Sequence, residues 1–169
     1  MAQVGRLEVE VVARIDKLER DLKRVEKASK KTARSSSAMG RSSPRAPAPR
    51  LTAIIVGAGM SGLLAAIRLK REGIHSFVVL EKAEDVGGTW LHNRYPGASC
   101  DIPSHLYSYS FRPKPDWSRM FAMQPEILDY FRDAAAEECL RAHIALRTEV
   151  SAARFEEAQG LWHVEAKDG

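Results

Sequence analysis

Residues 54–62 read Ile54-Ile55-Val56-Gly57-Ala58-Gly59-Met60-Ser61-Gly62, an apolar run that leads directly into a glycine-spaced turn. A second apolar run, Phe77-Val78-Val79-Leu80, ends on Glu81, 19 positions beyond Gly62. Strand, three spaced glycines, helix, second strand and terminal acid, in that order, predict the start of a dinucleotide-binding α/β fold. Gly57 permits the tight turn, Gly59 lets a pyrophosphate approach the backbone, and Gly62 lets the helix pack closely on the strand. The unpaired N–H groups and the dipole at the helix start favour a diphosphate there. Glu81 suits a ribose 2′-hydroxyl, and its charge repels a 2′-phosphate. This motif leaves NAD and FAD both open.

The elements around the motif follow from periodicity. A strand is expected over about 53–57 and a helix over about 61–72, with Leu63, Leu64, Ile67 and Leu69 facing inward. Gly73 is placed as the residue after the helix C-cap, where a left-handed conformation is needed. The second strand spans about 76–81. Seven of the 12 aromatic residues fall between Trp90 and Phe121, a stretch with no long period, as expected of a loop that packs over a ligand or another domain. Pro125 opens a helix to about Leu140, with Ile127, Leu128, Phe131 and Ala135 inward. Ile144, Leu146 and Val150 predict a third parallel strand. Arg154-Phe155 and Leu161–Glu165 then form an antiparallel pair, and Asp168-Gly169 is a hairpin signal that calls for a further strand. The chain therefore reads as part of a longer protein.

Charge divides the sequence. Residues 1–50 hold 13 Lys and Arg against 6 Asp and Glu, whereas residues 51–169 hold 13 against 16. The formal net charge of +4 thus describes the first segment and not the α/β part. That basic segment has no aromatic residue to stack on bases, so nucleic-acid binding is not expected. Leu7, Val9 and Val11 suggest a short strand. Ile15, Leu18, Leu22 and Val25 line one face of an amphipathic helix, which makes residues 13–27 a candidate for self-association. Residues 28–50, rich in Ser, Pro and Arg, are expected to be a disordered basic linker. The expected domains are 1–27, 28–50 and 51–169.

Cys100 and Cys139 offer neither a disulfide framework nor metal-ligand spacing, and the five histidines show no triad or metal pattern. No metal site is expected. No run approaches the ~20 apolar residues of a membrane span, so a cytoplasmic protein is expected, with no membrane partner.

A longer signature follows Glu81: Gly87-Gly88-Thr89-Trp90, then Asn93-Arg94-Tyr95-Pro96-Gly97-Ala98-Ser99-Cys100-Asp101-Ile102. Over residues 52–169 the chain resembles the class B flavoprotein monooxygenases, and within them the Baeyer–Villiger monooxygenases. The resemblance implies the FAD-binding part of an NADPH-dependent enzyme that inserts oxygen into ketones through a flavin C4a-peroxide. The implied fold is a doubly wound parallel sheet followed by the start of a β-meander, incomplete at its C-terminal end.

By resemblance, Gly57, Gly59, Ser61 and Gly62 contact the diphosphate, and Glu81 contacts the adenosine ribose. Gly88 binds the cofactor, Thr89 and Trp90 after it lie along the flavin, Tyr107 contacts the flavin, and Val150 meets the adenine through its backbone. Asp101 matches an aspartate that holds a catalytic arginine from elsewhere in the complete enzyme. Ser99 stands where some relatives have arginine, and there is no second glycine motif, so this chain alone is expected to be inactive. Two other readings remain at this point. One is a smaller FAD- or NAD-dependent oxidoreductase. The other is a phage-structural or assembly protein fused to a vestigial fold, because residues 1–50 faintly resemble the start of tail tape-measure proteins.

Overall fold

The computed structural model describes residues 8–11 and 51–168. The expected helix at 13–27, the expected linker at 28–50 and the turn at Gly169 lie outside them. Strand β1 (Glu8–Val11) is followed in the α/β part by β2 (Ala53–Val56), α1 (Met60–Arg71), β3 (Phe77–Leu80) and α2 (Thr89–His92). Then come α3 (Gln124–Glu137), a 3₁₀ turn (Leu140–His143), β4 (Ile144–Ala145), β5 (Thr148–Glu156) and β6 (Leu161–Asp168).

Strands β2, β3 and β4 form a parallel sheet in that order, with Ala53 opposite Phe77 and Val79 opposite Ile144. Short parallel strands joined by a crossover helix are buried on both faces, which is why β3 is apolar at every position. Its alternation divides two cores. Phe77 and Val79 join Leu63, Ala66 and Ile67 of α1 and Ile127, Phe131 and Ala134 of α3. Val78 and Leu80 face the other way, against Val164, Val150 and Ala166 of the β5–β6 hairpin. The result is three layers: helices, parallel sheet and hairpin.

The inward residues expected for α3 are all buried. In α1, Leu63 and Ile67 are buried together with Ala66, while Leu64 and Leu69 pack at the margin. Gly73 follows the α1 cap at φ 77° and donates its N–H to the Lys70 carbonyl, as expected.

The third strand differs from the expectation. Only Ile144 and Ala145 continue the parallel sheet. Arg147 adopts φ 55°, and the chain turns there, so Thr148 to Glu156 pair antiparallel with β6. Val150 therefore belongs to the hairpin and not to the parallel sheet. Alternation of Ile144, Leu146 and Val150 continues through the turn, so apolar periodicity alone conceals the change of sheet. The hairpin is longer than Arg154-Phe155 and Leu161–Glu165 suggested, and an irregularity between Val150 and Ala152 bends it. Strand β1 runs parallel beside β6, from Glu8 opposite Leu161 to Val11 opposite Val164.

Candidate cofactor site

The carboxyl ends of β2 and β3 open on a cleft of about 550 Å³. The crevice outside the carboxyl ends of parallel strands is where open α/β sheets bind ligands, because the following loops diverge there. Gly57 turns at φ 91°, and its N–H is held by the Leu80 carbonyl at 2.8 Å. Gly62 lies directly below: a Cβ there would stand 1.9 Å from the Gly57 carbonyl oxygen. Close seating of α1 under the turn thus excludes any side chain at Gly62. No side chain caps the start of α1, which leaves the N–H groups of its first turn open to a ligand.

A second glycine pair completes the rim. Gly87 donates its N–H to the Ala58 carbonyl at 2.9 Å, which ties the two loops together. Gly88 takes φ 54°, and a Cβ on it would approach Gly59 Cα to 2.9 Å. The loops therefore meet glycine to glycine. Backbone lines the cleft at both Gly59 and Gly88, the surface a diphosphate needs to come close.

Glu81 forms part of the cleft wall yet is only 5% exposed. One carboxylate oxygen accepts the Ala58 N–H at 2.6 Å, the other the Ala83 N–H at 2.8 Å. A buried carboxylate requires such donors, and two N–H groups leave lone pairs on both oxygens. Glu81 thus organises the glycine turn and keeps acceptor capacity towards the cleft.

Of the residues expected from sequence, Gly57, Gly59, Glu81, Gly88, Thr89 and Val150 converge on this cleft. Ser61 is exposed on the first turn of α1, and Gly62 packs beneath it. Trp90 is buried; its indole N–H donates to the Tyr107 hydroxyl at 3.0 Å, and the two rings meet edge to face. Neither lines the cleft. Asp101 is exposed and has no hydrogen-bond or ion-pair partner among the described residues.

Sequence reasoning missed Val56, Leu80, Lys82, His92, Asn93, Thr148 and Glu149, which complete the wall. Lys82 could have been found as the neighbour of Glu81. His92 and Asn93 could have been found from the helical spacing after Gly88. Thr148 and Glu149 arrive through the turn at Arg147, for which the sequence has no glycine signal.

A profile of NAD(P)-binding Rossmann-like domains matches residues 55–123. The chain is 48% identical over 115 residues to a Baeyer–Villiger monooxygenase of Streptomyces coelicolor, covering 68% of this chain and 22% of that one. It is 46% identical over 115 residues to a Baeyer–Villiger monooxygenase of Pseudomonas aeruginosa, with the same coverage. The matched segment is related to the Baeyer–Villiger monooxygenases. A solved structure of OTEMO in complex with FAD and NADP superposes with a TM-score of 0.66 at 39% identity, over 72% of this chain and 24% of that one. The chain thus spans about a fifth of the length of the Baeyer–Villiger monooxygenases it matches. Among the described residues no helix is long and apolar enough to cross a membrane, and no His, Cys, Asp and Glu group has the arrangement of a metal site.

Proposed function

We propose that residues 51–168 hold FAD in the cleft between the glycine turn, Glu81 and β5, as the flavin-binding part of a Baeyer–Villiger-type monooxygenase. Glu81 carries this reading, because a buried carboxylate on a cleft wall with lone pairs to spare suits the paired hydroxyls of a ribose. The glycine-to-glycine rim supports it from the other side, since the two loops meet without side chains and line the cleft with backbone that a diphosphate can approach. The FAD and NADP named for the OTEMO structure agree with this assignment.

In this reading Gly57, Gly59, Ser61 and Gly88 approach the diphosphate, and the first-turn N–H groups of α1 donate to it. Val150 offers its backbone to the adenine from β5. Thr89 lies on the flavin side, where Trp90 and Tyr107 support it through their mutual hydrogen bond. FAD, once reduced by NADPH, supplies the activation of dioxygen for insertion of oxygen into a ketone. Asp101, exposed and outside the residues that line the cleft, is available to position an arginine of a nicotinamide-binding part. The 169 residues contain one glycine-spaced motif, so we assign cofactor holding to this chain and not ketone turnover.

The test is FAD titration of the full chain, followed by flavin absorbance after gel filtration. Retained FAD with no ketone-dependent NADPH consumption is expected. A folded chain that retains no FAD overturns the cofactor assignment. Ester formation from a ketone by the chain alone, lost in Asp101→Ala, overturns the assignment of holding without turnover.

A further inference from the structure

Beyond Lys82 the cofactor cleft adjoins a second cavity of about 460 Å³, lined by Lys82, Ala83, Glu84, Leu91, His92, Arg94 and Arg147. Three permanent cations and a histidine face it against one acid. Glu84 reaches Arg94 only at 3.7 Å, with both side chains well exposed, so this acid offsets little of the charge. Neither Lys82 nor Arg147 makes an ion pair among the described residues. Glu81 and Glu149 belong to the neighbouring cleft, and the Glu81 carboxylate already accepts two backbone N–H groups.

Backbone bonds fix Arg94 through its Nε and Arg147 at its main chain. Arg94 is fixed by a 2.7 Å bond from its Nε to the Leu91 carbonyl, which leaves its terminal nitrogens to point onward. Arg147 sits in the left-handed region at φ 55°, a conformation that costs an L residue roughly 1–2 kcal/mol. Three backbone bonds around the turn impose it: Arg147 N–H to the Ala83 carbonyl at 2.9 Å, Glu81 N–H to Ala145 at 2.9 Å, and Thr148 N–H to Glu81 at 2.8 Å. Glycine would take this position without strain, yet the chain places a guanidinium there. Strain retained at a cleft edge marks positions with a task.

We propose that this cavity is a binding site for a phosphate dianion, held by Arg94, Arg147 and Lys82 next to the cofactor ribose. Two planar guanidinium groups and an ammonium suit a dianion with three terminal oxygens, whereas carboxylates offer fewer acceptors. The phosphate has two possible sources: free in solution, or carried on the 3′-oxygen of an adenine nucleotide in the adjoining cleft, with its 2′-hydroxyl left to Glu81.

The experiment titrates the full chain with inorganic phosphate by calorimetry at constant ionic strength, with and without FAD. Adenosine 3′,5′-bisphosphate and AMP are titrated in parallel. The decisive variant is Arg147→Gly, which removes the charge and relieves the backbone strain, so it keeps the fold. Phosphate affinity is expected to fall about tenfold in Arg147→Gly and in Arg94→Gln, the loss of one charge-assisted contact, while FAD retention is unchanged. Phosphate that binds FAD-loaded and FAD-free chain alike identifies a free anion as the ligand. A bisphosphate that outbinds AMP and is displaced by FAD identifies the ribose-borne group. No phosphate binding, or equal binding by the wild type and both variants, overturns the proposal. Because phosphate is read without FAD, failure here leaves the cofactor assignment standing, and the reverse holds too.

Discussion

One carboxylate at Glu81 connects the fold to the cofactor assignment. It holds the Ala58 and Ala83 N–H groups and lines the cleft, so substitution should affect binding more than stability if the amide of glutamine keeps one of those bonds. Glu81→Gln is expected to weaken FAD binding by about 1–3 kcal/mol, measured by titration, because a charge-assisted acceptor is lost. The glycines separate stability from binding in the same way. A Cβ on Gly59 would lie 3.5 Å from Gly88 Cα, an ordinary contact, so Gly59→Ala should fold normally and retain less FAD. At Gly62 the Cβ would lie 1.9 Å from the Gly57 carbonyl oxygen, so α1 must move. Gly62→Ala is therefore expected to lose about 1–3 kcal/mol of stability in urea denaturation, the usual cost of overpacking. Equal stability of the two alanine variants would show that α1 is seated less tightly than this geometry requires.

At the scale of elements, tyrosines join the aromatic excursion to the helices. Tyr130 of α3 accepts the Tyr109 N–H at 2.8 Å and donates its hydroxyl to the Arg112 carbonyl at 2.8 Å. Tyr109 in turn donates to the Met60 carbonyl at the start of α1, at 2.7 Å. Burial, with Tyr130 and Tyr107 close by, pushes the Tyr109 pKa up, so the phenol stays a donor. Tyr130→Phe leaves the buried Tyr109 N–H and the half-buried Arg112 carbonyl without this partner and should cost about 1–3 kcal/mol by thermal or urea denaturation. The 3₁₀ turn carries a pH-sensitive contact. His143 stacks on Phe77 at 4.3 Å, and burial, with Lys70 and His75 nearby, lowers its pKa below the ordinary 6.5. The unfolded chain then binds more protons than the folded one below about pH 6.5, so stability falls as pH falls through that window. His143→Phe keeps the stack and should flatten this part of the stability–pH profile. An unchanged slope would assign the acid sensitivity to other groups.

Over the whole molecule, every residue assigned to the cofactor cleft lies between Val56 and Val150. Deleting residues 1–50 is therefore expected to leave FAD retention unchanged within twofold, although it removes β1 from its place beside β6. A deletion variant that folds but loses FAD would give the first segment a part in the site. The α/β class, the crossover from β2 to β3, the tight turn at Gly57 and the place of Glu81 at the end of β3 were legible in sequence, because each rests on neighbours within a few residues or on a fixed spacing. The inward face of α3 was legible for the same reason: a period of 3.6 repeats along one element. The exposure of Asp101, the pairing of Gly59 with Gly88 and the change of sheet at Arg147 were not. Each depends on which distant segment lies alongside, and the left-handed turn at Arg147 is imposed by backbone bonds to residues 81–83 and not by a glycine. Local chemistry therefore determined that the chain forms a glycine turn with an acid at its end. Tertiary packing decided which side chains join that acid in the cleft, because only the folded backbone brings β5 across to meet it.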